Sequence, residues 1–378
     1  MDPVPPAADP APAPPRRVLI VKLSSLGDVV HAMPVVHDLH RAWPGVRVDW
    51  VVEPAFAPLV RRVDGVDGVI ECPLRRWRKA WWTAAVRAEW RAFRARLGAA
   101  HYDAVIDLQG LTKSAVVARL ARGTRHGLAN RTEGSSHEWP ARWLVDRAWT
   151  VPSRIHALDR SRCLVGQVTG RAPEGPPRFG LRARPLPAAE AEPPAGGPVA
   201  VFVHGTSRAD KGWPEADWVA LGRRLAQAGW RLRLPQADAD EAARAARIAA
   251  AIGPAAAVWP RLPLDALADR LGAVQAVVGV DSGLSHIAVA LERPHVQLYN
   301  WPTSWRTGPQ PAHGHRHQLS VEGRPAPTLE AVWAAWQQVV AAAGVSAGPA
   351  QASPPPDAAP PDRVAPPLRP APTEGPGG

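Results

Sequence analysis

Residues 18–33, VLIVKLSSLGDVVHAM, put an acid, Asp28, directly behind a Ser24-Ser25-Leu26-Gly27 turn between an apolar strand and a helix. At that place a carboxylate can cap the helix by accepting backbone N–H groups. It can also serve as a general base toward an incoming hydroxyl, with the helix dipole helping to keep it ionised. A lone acid here is more often a cap, so the rest of the chain has to decide.

Three further stretches carry chemistry. In FVHGTSRADKGWPEADW, 202–218, a strand ends in a loop holding Thr206 and Ser207, with Lys211 just ahead of a helix. Hydroxyls, backbone N–H groups and an ammonium at a helix start make a diphosphate site. In AVVGVDSGLSHIAVAL, 276–291, a buried strand runs into Asp281-Ser282-Gly283 and a helix with His286 on its first turn. Gly283 lets a ligand approach the backbone closely, while Asp281 beside a phosphate would repel it and must bond sugar hydroxyls or cap the helix. In CPLRRWRKAWW, 72–82, the cations Arg75, Arg76, Arg78 and Lys79 alternate with Trp77, Trp81 and Trp82. Guanidinium forks match carboxylates and phosphates, tryptophans suit a lipid interface, and together they could also stack on nucleic acid.

Two patterns look like metal sites and are read otherwise. Asp238 and Asp240 lie in ADADEAARAARIAA, where acids suit a helix start. His313, His315 and His317 alternate in a stretch without a neighbouring acid or cysteine, which reads as a solvated loop.

The elements that must position these groups follow a β/α rhythm. RVLIVKL, VRVDWVV, GVIEC and YDAVIDL read as strands in the first half; VAVFVH, WRLRLP, AAVWP, AVVGV and HVQLYN do so in the second. Helices are expected at 29–43, 80–98, 215–229, 239–252, 264–273 and 284–291. The fold class is therefore α/β, two parallel-sheet domains with a cleft between them at the carboxyl ends of the strands. Boundaries fall at a Pro/Ala-rich tail, 1–15; a first domain, 16–178; a linker, 179–197, within the Pro/Gly-rich stretch 171–197; a second domain, 198–345; and a Pro-rich tail, 346–378. The last helical run, LEAVWAAWQQVVAAAG, is expected to pack back onto the first domain.

Composition sets outer limits. Lys and Arg total 45 against 34 Asp and Glu, a formal net charge of +11 that favours a polyanionic partner. Cys72 and Cys163 have no metal or redox spacing, which fits a reducing compartment. Residues 1–15 lack the basic and apolar regions of a signal peptide, and no apolar run reaches the length of a membrane span. G-x-G-x-x-G after the first strand and G-x-x-x-x-G-K-[ST] are both missing, against a dinucleotide enzyme and a P-loop NTPase.

Taken in order, SSLGDVVHAMP, CPLRRWRKAWW, YDAVIDLQGLTKSA, HGTSRADKGWPE and VDSGLSHIAVAL resemble the lipopolysaccharide heptosyltransferases of glycosyltransferase family 9, from about residue 16 to about 345. The RRWRKAWW and QGLTKS runs are nearer to the branch that adds the first heptose than to the one that adds the second. The resemblance implies a GT-B fold of two Rossmann-like domains. It also implies transfer of heptose, with inversion, from ADP-L-glycero-β-D-manno-heptose to the inner Kdo of Kdo-lipid A. Asp28 then falls on the general base, and no cofactor or metal is implied. Thr206, Ser207, Lys211, Glu241, Leu262, Asp281, Ser282, Gly283 and His286 fall on donor-binding positions: Lys211 for the diphosphate, Glu241 for the ribose, Leu262 against the base. Arg75, Arg76, Arg78 and Lys79 would face the acceptor's carboxylates and phosphates. A monomer on the cytoplasmic face of the inner membrane is expected, binding its anionic surface and no nucleic acid. Two departures stand out: LPQADADE lacks the family's glycine-containing turn before Glu241, and Trp301-Pro302-Thr303 replaces Gly-Pro-Thr.

Three other readings compete. A second family 9 transferase would use a heptose-terminated acceptor. A nucleic-acid-binding protein would grip oligonucleotides through the Arg/Trp block with strong salt dependence. A binding module would hold the nucleotide sugar and never turn it over.

Overall fold

The computed structural model describes residues 15–188, 190 and 197–345. The expected tails, apart from Pro15, and most of 189–196 in the expected linker lie outside the described residues.

Two six-stranded parallel sheets form the frame. The first holds β1 (Arg17–Val21), β2 (Arg47–Val52), β3 (Val66–Glu71), β4 (His101–Asp107), β5 (Arg122–Leu128) and β6 (Arg147–Trp149) in the order β3-β2-β1-β4-β5-β6. The second holds β7 (Val199–Val203), β8 (Arg231–Leu234), β9 (Ala256–Val258), β10 (Ala276–Val280), β11 (His295–Tyr299) and β12 (Gln318–Glu322) in the order β12-β11-β10-β7-β8-β9. Val18–Val21, Val199–Val203 and Ala276–Val280 are buried throughout, as short β-branched runs covered on both faces must be.

In each sheet the strand order reverses once, between β1 and β4 and between β7 and β10. There the crossover helices diverge to opposite faces and leave a crevice at the carboxyl ends of the strands. Register places Val21 beside Asp107 and Gly279 beside Val203. The turns carrying Asp28 and Asp281 therefore leave the sheets at the two reversals.

Helices α1 (Leu26–Ala32) and α2 (Pro34–Ala42) replace the single helix expected at 29–43. Pro34 takes the first position of α2, where its missing N–H is no loss, and it ends the preceding turn. After α3 (Ala57–Val60), the Arg/Trp block forms α4 (Leu74–Ala80). The helix expected at 80–98 begins at Ala84 as α5 (Ala84–Ala99), because the Thr83 hydroxyl oxygen accepts the Val86 N–H and caps it. Then follow α6 (Thr112–Arg119), α7 (Ala157–Thr169), α8 (Glu215–Gln227), α9 (Ala239–Ile252), α10 (Leu264–Ala273), α11 (Gly283–Ala290), α12 (Ser304–Thr307) and α13 (Leu329–Ala342).

One expectation is corrected. Helix α13 stays with its own sheet: Val332, Ala335, Trp336 and Val339 pack with Ala200, Phe202 and Leu298 in the second lobe's core. The described part of the linker stretch is packed as well. Phe179 and Leu181 join the core beneath α1 and α2, Leu181 bridges Val63 antiparallel, and the Arg184 N–H donates to Asp269 at 2.6 Å.

Helix α7 is pinned to α2 by a buried bidentate pair, Arg162 to Asp38 at 2.8 and 3.0 Å. Removing one partner strands the other charge in the interior. We expect Arg162→Ala to lower the unfolding free energy by about 3–5 kcal/mol; chemical denaturation measures it, and a loss under about 1 kcal/mol would contradict the assignment.

Candidate active site

A cleft of about 410 Å³ lies between the lobes, lined from one side by the turn after β1 and from the other by the turns after β7 and β10. Asp28 is the third residue of α1, whose N-cap is Ser25, and it takes part in the capping as the partner of Ser25 in a capping box rather than as the N-cap itself. Asp28 reaches back: its Oδ2 accepts the Ser25 hydroxyl at 2.8 Å and the Ser25 N–H at 3.2 Å. Its Oδ1 faces Lys22 Nζ at 3.7 Å and Arg160 at 3.8 Å. The aspartate side chain is 40% exposed toward the cleft, whereas those of Lys22 and Arg160 are 2% and 6% exposed. Burial alone would raise the Asp28 pKa, but Lys22, the Ser25 hydroxyl and Arg160 outweigh it and hold the acid below the usual carboxylate range. Burial lowers Lys22 to about 8, with Arg160 adding to the fall and Asp28 opposing it.

The floor under this acid comes from YDAVIDLQGLTKSA. Gln109 Oε1 accepts the Leu23 N–H at 2.8 Å and holds the start of the turn that carries Asp28. Asp107, pushed up to about 6 by burial, accepts from the Gln109 N–H and the Ser114 hydroxyl, both at 2.9 Å. Lys22 Nζ donates to the Leu108 carbonyl at 3.1 Å.

Across the cleft Lys211 Nζ lies 2.6 Å from Asp281 Oδ2, and His286 Nε2 lies 3.3 Å from Asp281 Oδ1. Burial works against ionisation of Asp281, yet His286 and Lys211 keep it well below the usual range. Asp281 thus neither caps α11 nor faces the solvent; it is the counter-ion of the lysine. Ser282 stands at the N-cap position of α11 without a side-chain capping bond, and its hydroxyl is buried with no partner among the described residues. Gly283 and Gly27 bring the two helix starts together. A Cβ on Gly27 would meet His286 at 2.7 Å, and one on Gly283 would meet Leu26 at 2.6 Å.

The structure brings Asp28, Ser207, Lys211, Asp281, Ser282, Gly283 and His286 into one cleft. Thr206 stands behind them, its hydroxyl 3.5 Å from the Asp281 carbonyl. Glu241 and Leu262 do not line this cleft. Glu241 accepts the Ala237 N–H at 2.9 Å on the first turn of α9, beside Gly205, while Leu262 packs on the core next to α10. Arg75, Arg76, Arg78 and Lys79 lie outside it on α4. The Arg75 N–H donates to Glu53, Arg76 pairs with Glu89, and Arg78 lines a separate cavity.

The cleft cations that sequence reasoning missed are Lys22, Lys113, Arg160 and Arg306. Lys22 and Lys113 sat inside quoted motifs, but in single-file sequence nothing marks a strand-end lysine as turned inward. Arg160 and Arg306 belong to no motif. The replaced Trp301-Pro302-Thr303 segment leads into α12, which delivers Arg306 and puts the Thr307 hydroxyl 3.4 Å from Asp281 Oδ1.

One expectation fails here. His313 is buried, not solvated, with Nε2 2.8 Å from Asp159 Oδ2. The acid lies 154 residues away on α7, out of reach of local sequence reading. His156, Asp159 and His313 hold their donor atoms within 4.8 Å of one another. They are already paired: His156 Nδ1 accepts the Leu158 N–H and its Nε2 meets the Gly308 carbonyl. Asp238 likewise serves α9, accepting the Glu241 N–H at 2.9 Å.

The family model described as glycosyltransferase family 9 (heptosyltransferase) matches residues 90–332. Lipopolysaccharide heptosyltransferase 1 of Pseudomonas aeruginosa is 43% identical over 76% of this chain and 79% of that protein. Its namesake in Escherichia coli K12 is 41% identical over 75% and 87%. Among solved structures, E. coli heptosyltransferase WaaC with ADP superposes with a TM-score of 0.73 at 36% identity, covering 86% of this chain and 99% of that one. WaaC with ADP-2-deoxy-2-fluoro heptose gives 0.66 at 40% identity, covering 76% and 89%.

Proposed function

The chain belongs to glycosyltransferase family 9, and from that premise we propose that it transfers heptose from ADP-heptose to the inner Kdo of Kdo-lipid A, inverting the anomeric centre. The observation that carries the reading is the pairing of one exposed carboxylate, backed by buried cations, with a cation and a free hydroxyl on the facing helix start.

In the reaction an acceptor hydroxyl oxygen forms the new bond to the anomeric carbon while the bond from that carbon to the phosphate oxygen breaks. Asp28 receives the hydroxyl proton. ADP leaves with an added negative charge, met by Lys211, the Ser282 hydroxyl and the N–H groups opening α11. Lys211 exchanges part of its contact with Asp281 for the diphosphate. Thr206 and Ser207 complete the loop around it, His286 keeps Asp281 in place, and Glu241 and Leu262 take the nucleoside. The cations of α4 draw in the anionic acceptor. Among the described residues no helix is long and apolar enough to cross a membrane, and the enzyme works as a monomer held at the cytoplasmic membrane face by its basic surface.

The test is an acceptor swap with ADP-heptose as donor, the products weighed by mass spectrometry. Kdo-terminated lipid A should gain one heptose and heptose-terminated lipid A none; the reverse preference would overturn the assignment. Lys211→Ala should weaken ADP binding about tenfold, the scale of one charge-assisted contact. An unchanged dissociation constant by calorimetry would take Lys211 out of the donor site.

A further inference from the structure

Helices α4 and α5 flank a second, solvent-open cavity of about 520 Å³ that no step above uses. Its walls are apolar: Trp77, Trp81, Val86 and Trp90 line it, with Trp77 and Trp90 edge to face at 5.4 Å. Arg78 and Arg87 also line it and are themselves exposed. Trp81 and the adjacent Trp82 are 66% and 60% exposed, which is unusual for the largest apolar side chains.

We propose that this cavity receives an acyl chain of the lipid-linked acceptor, making α4–α5 a subsite for the lipid as well as for its charges. The argument rests on the reading of the enzyme as a transferase to lipid A. An apolar cavity of this size rimmed by cations fits an amphiphile that carries anionic groups next to hydrocarbon. Arg78, Lys79 and Arg87 form no ion pair among the described residues, so their charge is free for phosphates. Arg76 is occupied by Glu89 and drops out of this set. The start of α4 is tied to the turn that carries Asp28. The Arg75 N–H at the start of α4 donates to Glu53 at the end of β2, and the Glu53 N–H donates to the Leu23 carbonyl, two residues before Ser25. On this proposal a chain held under Trp81 keeps the sugar end of the same molecule on the lobe that carries Asp28. Cations beside hydrocarbon argue against a purely apolar peptide as occupant, and an RNA would stack its bases on the exposed Trp81 and Trp82 rather than fill the apolar space between the helices.

The test fills the cavity without touching the cleft. Val86→Phe, with Trp81→Ala as a second variant that opens it instead, is assayed on hexa-acylated Kdo-lipid A and on the same acceptor fully stripped of acyl chains. We expect KM for the acylated acceptor to rise about tenfold in both variants, with KM and kcat for the stripped acceptor unchanged. Equal effects on both acceptors, or none on either, would overturn the subsite. Binding of each protein to phosphatidylglycerol vesicles without acceptor forms the third arm. If the variants lost vesicle binding while using both acceptors normally, the cavity would serve the bilayer and the proposal would fall. Transfer to the stripped acceptor by wild type tests the catalytic reading independently, so failure of one is distinguishable from failure of the other.

Discussion

Asp28→Asn should cut turnover by about a hundredfold or more while leaving ADP affinity as it was. The carboxamide keeps the size of the side chain and can still accept from the Ser25 hydroxyl and N–H. What it loses is the capacity to take a proton, and positioned acid–base groups contribute on the order of 10²–10⁴ in rate. The groups assigned to ADP lie on the other lobe, so donor binding should not feel the change. A variant turning over within about threefold of wild type would end the base assignment. The acid's depressed pKa bears on how it works. A carboxylate stabilised by two cations pulls weakly on a ground-state alcohol, so the proton moves as the new carbon–oxygen bond forms and the hydroxyl becomes acidic. For stability the sign is definite. With a folded pKa below the unfolded value near 3.9, Asp28 contributes stability above about pH 4, and that contribution is lost as pH falls through the folded value. No acid limb of the rate profile between pH 5 and 8 should trace to this group.

Lys22→Met should lower turnover about tenfold at neutral pH and erase an alkaline limb of the wild-type profile. Lys22 is buried and lowered to about 8, so its charge beside Asp28 is present below that pH and lost above it. Wild-type kcat should therefore fall as pH passes about 8, and the methionine variant, already lacking the charge, should run flat through the same range. Unfolding does not mimic this result. Between the folded value near 8 and the unfolded value near 10.4 the unfolded state binds more protons, so this group makes the fold more stable as pH rises. A variant that kept the alkaline limb would show that the limb belongs to another group.

Legibility in the sequence divided along a physical line. Strands buried on both faces announced themselves: Val18–Val21, Val199–Val203 and Ala276–Val280 are runs that fit little else. Three strands went unread. Strand β5 is spelled Arg-Gly-Thr-Arg-His-Gly-Leu, β6 has three residues at a sheet edge, and β12 is an edge strand with Gln318, Ser320 and Glu322. Edge and polar strands are specified by their neighbours, which a linear reading does not contain. The site divided in the same way. Asp28, Lys211 and Asp281 sit at strand-to-helix turns, where local chemistry shows. Arg160 and His313 matter through Asp28 and Asp159, whose proximity exists only after folding.

The meeting of α1 and α11 at Gly27 and Gly283 has a mechanical consequence. A Cβ added at Gly27 would run into the His286 ring and one at Gly283 into the Leu26 side chain, so the facing helix starts touch here with no room to spare. On the function proposed above, a bulkier residue at either glycine would push the two helix starts apart and widen the gap the transferred sugar has to cross.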